Sequence, residues 1–488
     1  MGCIAIDLGS TNIKVAVYSD ELQIEAWQSN PVQYIRDGSR VEFDIIDYGN
    51  TVIKMIANLM NNSSIDTKNI CQLVFTGQAE SLVVLGKDFK PIMNAISWMD
   101  DRSTEECNQI MRLFSPEDCF RKTGQMAVLP TWPATKILWI KNNLPVIFEK
   151  AAQYVMLKDY IVFLMTGHLV ADSSIATFTF YFDIYNKCYW KEMMKVCGIQ
   201  TSQLPPLVEP CQSIGTILPT IADSTGLTTQ TTVNIGTLDH FAGMVGTGNI
   251  EEGVITLSTG TVMALATLIH NPSTSGNKMA VHYGFFPDTY VYLPVSESGG
   301  VCLDWFKNNF AENHTFVELD QKFDKKKHPS EILFLPYIVG TNAPEFDTDT
   351  CGIFYGIRAK HDMIDFAYAV MEGVAFLLAK NVNDIRREGI EIKKIIATGG
   401  GAKSDIWCQL YSDITGVLVE TPSEKESACL GAAIINAVTE GIFKNYTDAV
   451  KQTVKISKRF QPRTDVDFKR KQIQFDYLYK AMLELRNI

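Results

Sequence analysis

The chain has 488 residues, of which 46% are apolar and 20% are charged, and its formal net charge at pH 7 is −11. This length exceeds what one hydrophobic core usually supports, so we expect two domains, and the composition excludes both a disordered chain and a membrane protein. The negative charge opposes phosphate backbones, and the one dense basic run, residues 322–328, is short, so nucleic acid is not an expected partner.

Cysteine usage and hydropathy indicate the compartment. Eleven cysteines are scattered along the chain without a C-x-x-C pair. An odd number of dispersed cysteines in a large chain is typical of reduced thiols rather than of a disulfide framework. No uninterrupted apolar stretch reaches 18 residues, so we expect neither a membrane-spanning segment nor a membrane partner. Together these features predict a cytoplasmic protein.

The first element along the chain is a predicted β-hairpin over residues 4–18, IAIDLGSTNIKVAVY. Its turn, Gly9 to Thr11, offers closely spaced backbone N–H groups and two hydroxyls, which suit phosphate oxygens. Asp7 adds a hard oxygen of the kind that Mg²⁺ prefers, and Lys14 adds a positive charge. An ordinary hairpin, whose Asp and Ser side chains satisfy turn amides, is the alternative that this segment leaves open.

Residues 253–268 repeat this pattern of apolar run, small-residue turn and apolar run about half a chain later. The repetition predicts two similar α/β domains, joined near Gly243 by a short hinge and presenting polar turns to a common cleft. Residues 361–385 have the spacing of a long helix, in which Glu372 is expected to be a buried, paired carboxylate. Residues 468–486 are predicted to form a docked terminal helix.

Residues 395–416 place three consecutive glycines between an apolar strand and an amphipathic helix. A strand-to-helix turn that needs a positive φ explains one glycine. Three glycines exceed that need, so this pattern favours a ligand that approaches the backbone closely.

Taken in order, these segments resemble the motifs of the FGGY carbohydrate kinases, members of the actin-like, ribonuclease-H-like ATPase superfamily. The first phosphate motif is DLGSTNIK, the second is LSTGT and the adenosine motif is TGGGAKSDIWCQLYSDITG. Segments around GQAES, NAISWMDDR and GTLDHFAG also fall in the family order, so the resemblance runs through nearly the whole chain. It is nearest to xylulose and ribulose kinases, with some features of the glycerol kinase pocket.

The resemblance implies an α/β fold of two ribonuclease-H-like domains that face a central cleft. Residues 1–243 would carry the sugar site and the first phosphate motif, and residues 244–488 the second phosphate motif and the adenosine site. ATP and Mg²⁺ are the implied cofactors, and a homodimer is the expected assembly.

Asp239 occupies the family's catalytic position, at which a carboxylate takes the proton from the attacking sugar hydroxyl; without the family, it could simply cap the next helix. Asp7 would help to hold the Mg²⁺ of MgATP, largely through water. Ser258 and Thr261 replace glycines that are common in the family's second loop. The residues implied to bind ATP are Gly9, Ser10, Thr11 and Lys14 at the phosphates, Thr259 and Gly260 from the second domain, and Gly400, Gly401 and Asp405 along the adenosine.

The implied sugar-binding residues are Gln78, Ala79, Glu80, Trp98, Asp239 and His240. Xylulose kinases commonly carry Met-His at Ala79 and Glu80 and glycerol kinases carry Arg-Glu, so the chain matches neither fully. Trp98 corresponds to an aromatic residue that packs against glycerol, although a Trp after an apolar run is more often a core residue. His240 either hydrogen-bonds a sugar oxygen or fills space, and Asp100 to Arg102 form an ion-paired loop in the simpler interpretation.

The Glu80 carboxylate can accept hydrogen bonds from two vicinal hydroxyls, which favours an open-chain, hydroxyl-rich substrate. We therefore predict a kinase that transfers the γ-phosphate of MgATP to a hydroxyl, expected to be terminal, of a ketopentose such as xylulose or ribulose. A glycerol or other polyol kinase is one alternative, and a catalytically idle, sugar-binding regulatory protein is another. The presence of Asp7, Thr11, Asp239 and Thr259 together favours activity.

Overall fold

The computed structural model describes residues 2–62, 69–273, 279–323, 329–347, 349–424, 426–486 and 488. Residues 324–328 of the basic run therefore lie outside the described residues. The chain divides into two compact units, the first made of residues 1–250, 270–291 and 426–454 and the second of 251–269, 292–425 and 455–488. Gly243 lies inside a helix, and the boundary between residues 243 and 244 stays a prediction.

Among the described residues before position 250, the strands are β1 (Gly2–Leu8), β2 (Asn12–Tyr18), β3 (Ile24–Pro31), β4 (Ile35–Asp37), β5 (Arg40–Phe43), β6 (Ile70–Gly77), β7 (Leu82–Leu85), β8 (Ala95–Ile96), β9 (Gln153–Met156), β10 (Ala171–Asp172), β11 (Phe182–Asp183), β12 (Cys188–Tyr189), β13 (Leu207–Val208), β14 (Ser213–Thr216) and β15 (Thr232–Leu238). The strands that follow are β16 (Val254–Thr259), β17 (Met263–Ile269), β18 (Val281–Tyr283), β19 (Tyr290–Tyr292), β20 (Val295–Ser296), β21 (Leu333–Leu335), β22 (Ile353–Tyr355), β23 (Lys394–Gly399), β24 (Leu418–Pro422) and β25 (Ile456–Phe460).

The helices are α1 (Ile45–Asn62), α2 (Thr104–Met111), α3 (Pro116–Thr123), α4 (Pro133–Asn143), α5 (Pro145–Lys150), α6 (Leu157–Thr166), α7 (Ser173–Ala176), α8 (Lys191–Cys197), α9 (Pro219–Thr225), α10 (Asp239–Thr247), α11 (Gly300–Phe310), α12 (Phe316–Phe323), α13 (Met363–Arg387), α14 (Asp405–Thr415), α15 (Ser427–Thr439), α16 (Tyr446–Thr453) and α17 (Lys469–Arg486). Within the described ranges, every helix is too short or too polar to span a lipid bilayer. All eleven cysteines are described and none of them forms a disulfide bond, in agreement with the prediction.

The centre of the first unit is a six-stranded sheet with the order β14-β15-β6-β1-β2-β3. Strand β1 pairs antiparallel with β2 and parallel with β6, which in turn pairs parallel with β15. Strand β1 is buried along nearly its whole length because α1 and α6 cover one face of the sheet with apolar side chains and α15 also packs against the strand. The parallel pairing brings the carboxyl ends of β1, β6 and β15 to one edge of the sheet.

The second unit is built on strands β17, β16, β23, β24 and β25, which are neighbours in that order. Strands β16 and β17 form the predicted hairpin, and β16 pairs parallel with β23, so that Thr259 lies opposite Gly399. The predicted helices are observed as α13 and α17. Glu372 of α13 is buried and forms an ion pair with Lys471 of α17, which confirms the prediction of a paired carboxylate.

Helices α10 and α15 of the first unit pack with their backbones in close contact because glycines line the contact. A Cβ atom at Gly246 would overlap the carbonyl oxygen of Ser427, and one at Gly431 would overlap that of Ala242. Helix α10 begins with Asp239, so this contact also holds the helix that carries the predicted catalytic carboxylate.

We expect Gly246→Ala to lower the free energy of unfolding by about 1–3 kcal/mol, because the added methyl group must push two backbones apart. Gly243→Ala in the same helix is the matched control, since its Cβ would meet only Ser427 Oγ at 3.7 Å. That substitution should leave stability unchanged or raise it by up to about 1 kcal/mol. Denaturant unfolding followed by circular dichroism measures both, and equal effects of the two variants would contradict the close packing.

Candidate active site

Asp7 stands at the carboxyl end of the central strand β1. The register places it opposite Lys14 on β2 and Thr76 on β6. Its side chain is buried, and its Oδ1 atom has no hydrogen-bond partner among the described residues. A buried carboxylate oxygen without a donor is costly unless something else neutralises it.

The charges around Asp7 are predominantly negative. Lys14 Nζ lies 3.9 Å from Asp7 Oδ2 and 2.5 Å from Glu426 Oε2, so one ammonium group is shared by two carboxylates. Burial raises the pKa of Asp7 to about 7, and the charges of Asp239 and Glu426 raise it while that of Lys14 lowers it. Asp7 and Glu426 thus share the Lys14 ammonium group, and Asp239 adds a further negative charge near Asp7.

This arrangement suits a hydrated divalent cation. In the part of the chain that the structure describes, no three His, Cys, Asp or Glu side chains converge closely enough to hold a metal ion by themselves. Mg²⁺ typically keeps several waters and takes one or two carboxylates together with substrate phosphates. The unpartnered oxygen of Asp7, with Asp239 nearby, matches that requirement.

Two tyrosines hold the turn after β1 through hydrogen bonds to its carbonyl groups. Tyr48 donates a hydrogen bond to the Gly9 carbonyl at 3.2 Å, and Tyr34 donates one to the Ser10 carbonyl at 2.8 Å. Gly9 is required because a Cβ atom there would lie 2.5 Å from the Asn12 carbonyl oxygen. Thr11 is exposed. The turn therefore has a rigid backbone and an open outer surface.

Asp239 is the first residue of α10, directly after β15, and it is half-buried. Its Oδ1 atom accepts a hydrogen bond from the backbone N–H of His240 at 2.6 Å, while Leu238 is the residue at the N-cap position. His240 is exposed. The helix terminus thus orients the carboxylate and leaves it accessible.

A buried polar network supports the strand end that carries Asp239. Lys158 and Asp172 are both fully buried and form an ion pair of 2.8 Å. Ser174 Oγ donates to Asp172 and accepts a hydrogen bond from the backbone N–H of Leu238 at 3.3 Å. Lys158 Nζ also donates to the Ile235 carbonyl at 2.6 Å. These contacts fix the backbone immediately before the catalytic candidate.

Gln78, Ala79 and Glu80 follow β6 and therefore reach the same edge of the sheet. Glu80 adopts φ +65°, a left-handed conformation that is uncommon for a non-glycine residue and is found often at functional sites. Lys136 holds this bend by donating to the Glu80 carbonyl at 3.0 Å and to the Ser97 carbonyl at 2.8 Å. Burial outweighs the charge of Lys136 and a hydrogen bond from Thr131, so that the pKa of Glu80 is raised to about 7.

Trp98 is 39% exposed, so the interpretation of this residue as part of the core is wrong. It follows the short strand β8, and its backbone N–H donates to Ser81 Oγ at 3.2 Å. The ion-paired loop beside it is confirmed, because Arg102 contacts both Asp100 and Glu42 at 2.7 Å. The loop is thereby held in place while the indole ring remains available.

In the second unit, the triple-glycine segment packs against the second small-residue turn. A Cβ atom at Gly399, which has φ +79°, would lie 2.7 Å from the Thr259 carbonyl oxygen, and one at Gly401 would lie 2.8 Å from Thr259 Cβ. Gly400 and Gly260 are exposed, whereas Thr259 is buried with its hydroxyl accepting a hydrogen bond from Tyr411 at 3.3 Å. The structure therefore brings these predicted ATP-binding glycines together within one unit.

Asp405 lies apart from that contact, at the first position of α14. Both of its carboxylate oxygens accept hydrogen bonds from Lys458, at 2.7 and 2.8 Å. The helix is capped by Ser404, whose Oγ accepts from the Trp407 backbone N–H at 3.2 Å. The Asp405 carboxylate is therefore exposed, but Lys458 already engages both of its oxygens.

The sequence reasoning did not single out Glu426, Lys136, Tyr34 or Tyr48. Glu426 is 412 residues from Lys14, and Lys136 is 56 residues from Glu80. No local pattern links such partners. A lysine within the apolar helix α4 was the one available signal, since a buried ammonium group needs acceptors.

We expect Asp7→Asn to raise the free energy of unfolding at pH 8. The folded state binds a proton at Asp7 more tightly than the unfolded chain does, so the ionised carboxylate destabilises the protein, fully so above about pH 7. The gain from Asn should shrink as the pH is lowered toward 5, where the folded-state carboxyl is protonated. Asp37→Asn on the exposed strand β4 is the control, and a gain for Asp7→Asn that does not change with pH would contradict the charge argument.

Comparison with known proteins identifies the family of this chain. Residues 3–246 match the N-terminal domain of the FGGY family of carbohydrate kinases, and residues 257–440 match the C-terminal domain. The xylulose kinase of Bacillus subtilis (strain 168) is 30% identical over 466 residues, which cover 94% of this chain and 92% of that protein. The gluconokinase of the same strain is 28% identical over 477 residues, which cover 95% and 92%.

A solved structure agrees with this assignment. The crystal structure of ligand-bound xylulose kinase from Lactobacillus acidophilus aligns with a TM-score of 0.89 at 25% identity, over 100% of this chain and 98% of that one. The predicted α/β fold of the actin-like ATPases is thereby confirmed. The family matches span most of both halves of the chain, so this protein belongs to the FGGY family of carbohydrate kinases, phosphotransferases that use ATP to phosphorylate a small sugar substrate.

Proposed function

We propose that this protein is a xylulose kinase, which transfers the γ-phosphate of MgATP to a terminal hydroxyl of the open-chain sugar. The observation that carries the proposal is the presence of Asp7 and Asp239 within one electrostatic cluster at the carboxyl ends of β1 and β15. The similarity to proteins named xylulose kinase supports the choice of sugar. A ketopentose also suits the predicted hydroxyl-binding carboxylate of Glu80.

Asp239 is the proposed general base, which accepts the proton of the attacking hydroxyl. Its carboxylate is half-buried and held by the His240 N–H, so it is oriented and remains accessible. Phosphoryl transfer relies mainly on positioning and charge neutralisation, and a general base contributes typically ~10²–10⁴-fold.

Asp7 is the proposed ligand of Mg²⁺, through water, and its unpartnered Oδ1 atom supports this role. When bound, Mg²⁺ neutralises the charge of the transferring phosphate groups. Gly9, Ser10 and Thr11 would bind phosphate oxygens through a backbone that Tyr34 and Tyr48 keep rigid. Lys14 would contribute a positive charge, although Glu426 already engages it.

The second unit is proposed to bind the rest of the nucleotide. Thr259 and Gly260 would contact phosphate oxygens, with Ser258 and Thr261 beside them in place of the family's common glycines. Gly400, Gly401 and Asp405 would lie along the adenosine. The exposure of Gly260 and Gly400 supports this assignment, since a ligand can reach their backbone.

The sugar is proposed to bind Gln78, Glu80, Trp98 and His240 together with Asp239. Glu80 would accept hydrogen bonds from vicinal hydroxyls, and the exposed indole of Trp98 would cover the C–H surface of the sugar. Ala79 leaves space beside Glu80 and supplies no donor, which disfavours glycerol as the main substrate. Gluconate is the second candidate because a gluconokinase is among the similar proteins.

The homodimeric state, the cytoplasmic location and the division at residues 243 and 244 remain proposals made from the sequence. Neither nucleic acid nor a membrane is proposed as a partner.

The proposed function is tested by ADP release from MgATP with D-xylulose, D-ribulose, gluconate, glycerol and pentitols. We expect D-xylulose to give the highest kcat/KM, and Asp239→Asn to lower kcat by at least ~10²-fold while ATP still binds, because only the proton acceptor is lost. Calorimetric titration with ATP provides the binding control.

Three outcomes would change the proposal. Preference for another sugar would replace the substrate and keep the kinase. Retention of the wild-type rate by Asp239→Asn would remove the proposed base. Sugar binding without ADP release would instead support the idle, regulatory alternative.

At about pH 8.5, where Glu80 is ionised, we further expect Glu80→Gln to lower kcat/KM for the sugar by ~10–100-fold, since hydrogen bonds to a charged acceptor are worth about 1.5–3 kcal/mol. The KM for ATP should not change, because Glu80 is assigned to the sugar alone. Glu105→Gln on the exposed face of α2 is the control for charge removal. Steady-state kinetics with both substrates varied measures the effect, and equal losses for the two variants would remove Glu80 from the sugar site.

A further inference from the structure

His282 is a buried histidine of strand β18 that the proposed reaction does not use. The residue is 2% exposed. Its Nε2 atom lies 3.3 Å from Nε2 of Gln125, and the same Gln125 nitrogen donates to the Val281 carbonyl at 3.1 Å. All three residues belong to the first unit.

These contacts determine which ring nitrogen carries the proton. The Gln125 amide nitrogen must face the Val281 carbonyl, because the opposite orientation would set two acceptor oxygens against each other. An amide nitrogen can only donate, so His282 Nε2 accepts the hydrogen bond. The proton of the neutral ring therefore resides on Nδ1, and Gln125 fixes this tautomer.

The Nδ1–H group has no acceptor among the residues that the structure describes. Burial, with a smaller contribution from His240, lowers the pKa of His282 to about 3, so the ring stays neutral at physiological pH. A buried donor without an acceptor is unfavourable in a folded protein. A ligand or a water molecule often supplies the acceptor for such a donor.

The surroundings of His282 include neighbours of two residues of the proposed sugar site, Glu80 and His240. The His282 ring stacks on Phe178, with ring centroids 4.1 Å apart and planes inclined by 13°. The Phe178 ring in turn neighbours that of Trp132, with ring centroids 6.5 Å apart. Trp132 follows Thr131, which hydrogen-bonds Glu80. The charge of His240, the residue that follows Asp239, also contributes to the lowered pKa of His282.

We propose that His282 is a specificity-determining residue that donates a hydrogen bond from Nδ1 to an oxygen atom of the sugar, with Gln125 as the positioning residue that fixes its tautomer. The inference rests on the proposed sugar kinase function and adds a donor to a site in which Glu80 and Asp239 are both acceptors. A hydroxyl-rich substrate has oxygens to match both kinds of partner. A buried neutral donor also favours an uncharged sugar oxygen over a cationic group.

The test compares His282→Asn with His282→Leu, because the Asn amide can present an N–H near the Nδ1 position and Leu has a similar size without a donor. We expect His282→Leu to lower kcat/KM for D-xylulose by ~10–100-fold, and His282→Asn to recover at least tenfold of that loss. The KM for ATP and the sugar-independent release of ADP should stay within twofold of the wild type. Thermal unfolding of both variants provides the control for folding.

Monodeoxy derivatives of xylulose identify the contacted oxygen. One derivative should react equally well with wild type and His282→Leu, since its contact is already absent. If either His282 variant fails to fold, Gln125→Leu is the replacement test. This substitution keeps the imidazole ring but removes the hydrogen bond that fixes its tautomer. This substitution should lower kcat/KM for xylulose several-fold and spare the same derivative.

The inference would be overturned by equal kcat/KM for the Asn and Leu variants, or by an equal loss of kcat/KM for every derivative. Water would then be the acceptor for the Nδ1–H group. If wild type phosphorylates no sugar in the panel, the proposed function fails instead. Calorimetric titration of xylulose then tests the contact: weaker binding to His282→Leu than to His282→Asn supports the donor, and equal binding or none to wild type rejects it.

Discussion

The candidate site depends on the parallel pairing of three strands. Strand β6 pairs in register with β1 on one side and with β15 on the other, so that Leu8 and Leu238 both lie opposite Gly77. The chain must therefore leave all three strands at the same edge of the sheet. Asp7, the Gln78 to Glu80 bend and Asp239 come from distant parts of the sequence and meet there for this reason alone.

Placing several acidic groups at one edge of the sheet lowers the stability of the folded protein. Asp7 is buried near Asp239 and Glu426, whose charges raise its pKa, while the charge of Lys14 lowers it. A buried carboxylate with negatively charged neighbours destabilises the protein but attracts a cation. Stability and function thus make opposite demands on the same carboxylate.

The backbone around these groups is rigid because buried polar networks hold it. The Lys158–Asp172 pair fixes the end of β15 through Ser174, and Lys136 holds the bend at Glu80 in its left-handed conformation. A fully buried ion pair contributes little net stability, so its value lies in specifying one backbone position. Chemistry that depends on positioning benefits from supports of this type.

Local patterns in the sequence determined both hairpins, the helices α13 and α17, the order of the phosphate and glycine motifs, and the family, because strand alternation, helical spacing and turn composition act over short distances. They did not determine the exposure of Trp98 or the partners Glu426, Lys136 and Gln125. Those contacts join residues far apart in sequence, and only the tertiary packing of strands and helices brings them within hydrogen-bond distance. The tautomer of His282 and the raised pKa of Asp7 have the same origin, since burial and neighbouring groups, rather than residue type, decide protonation.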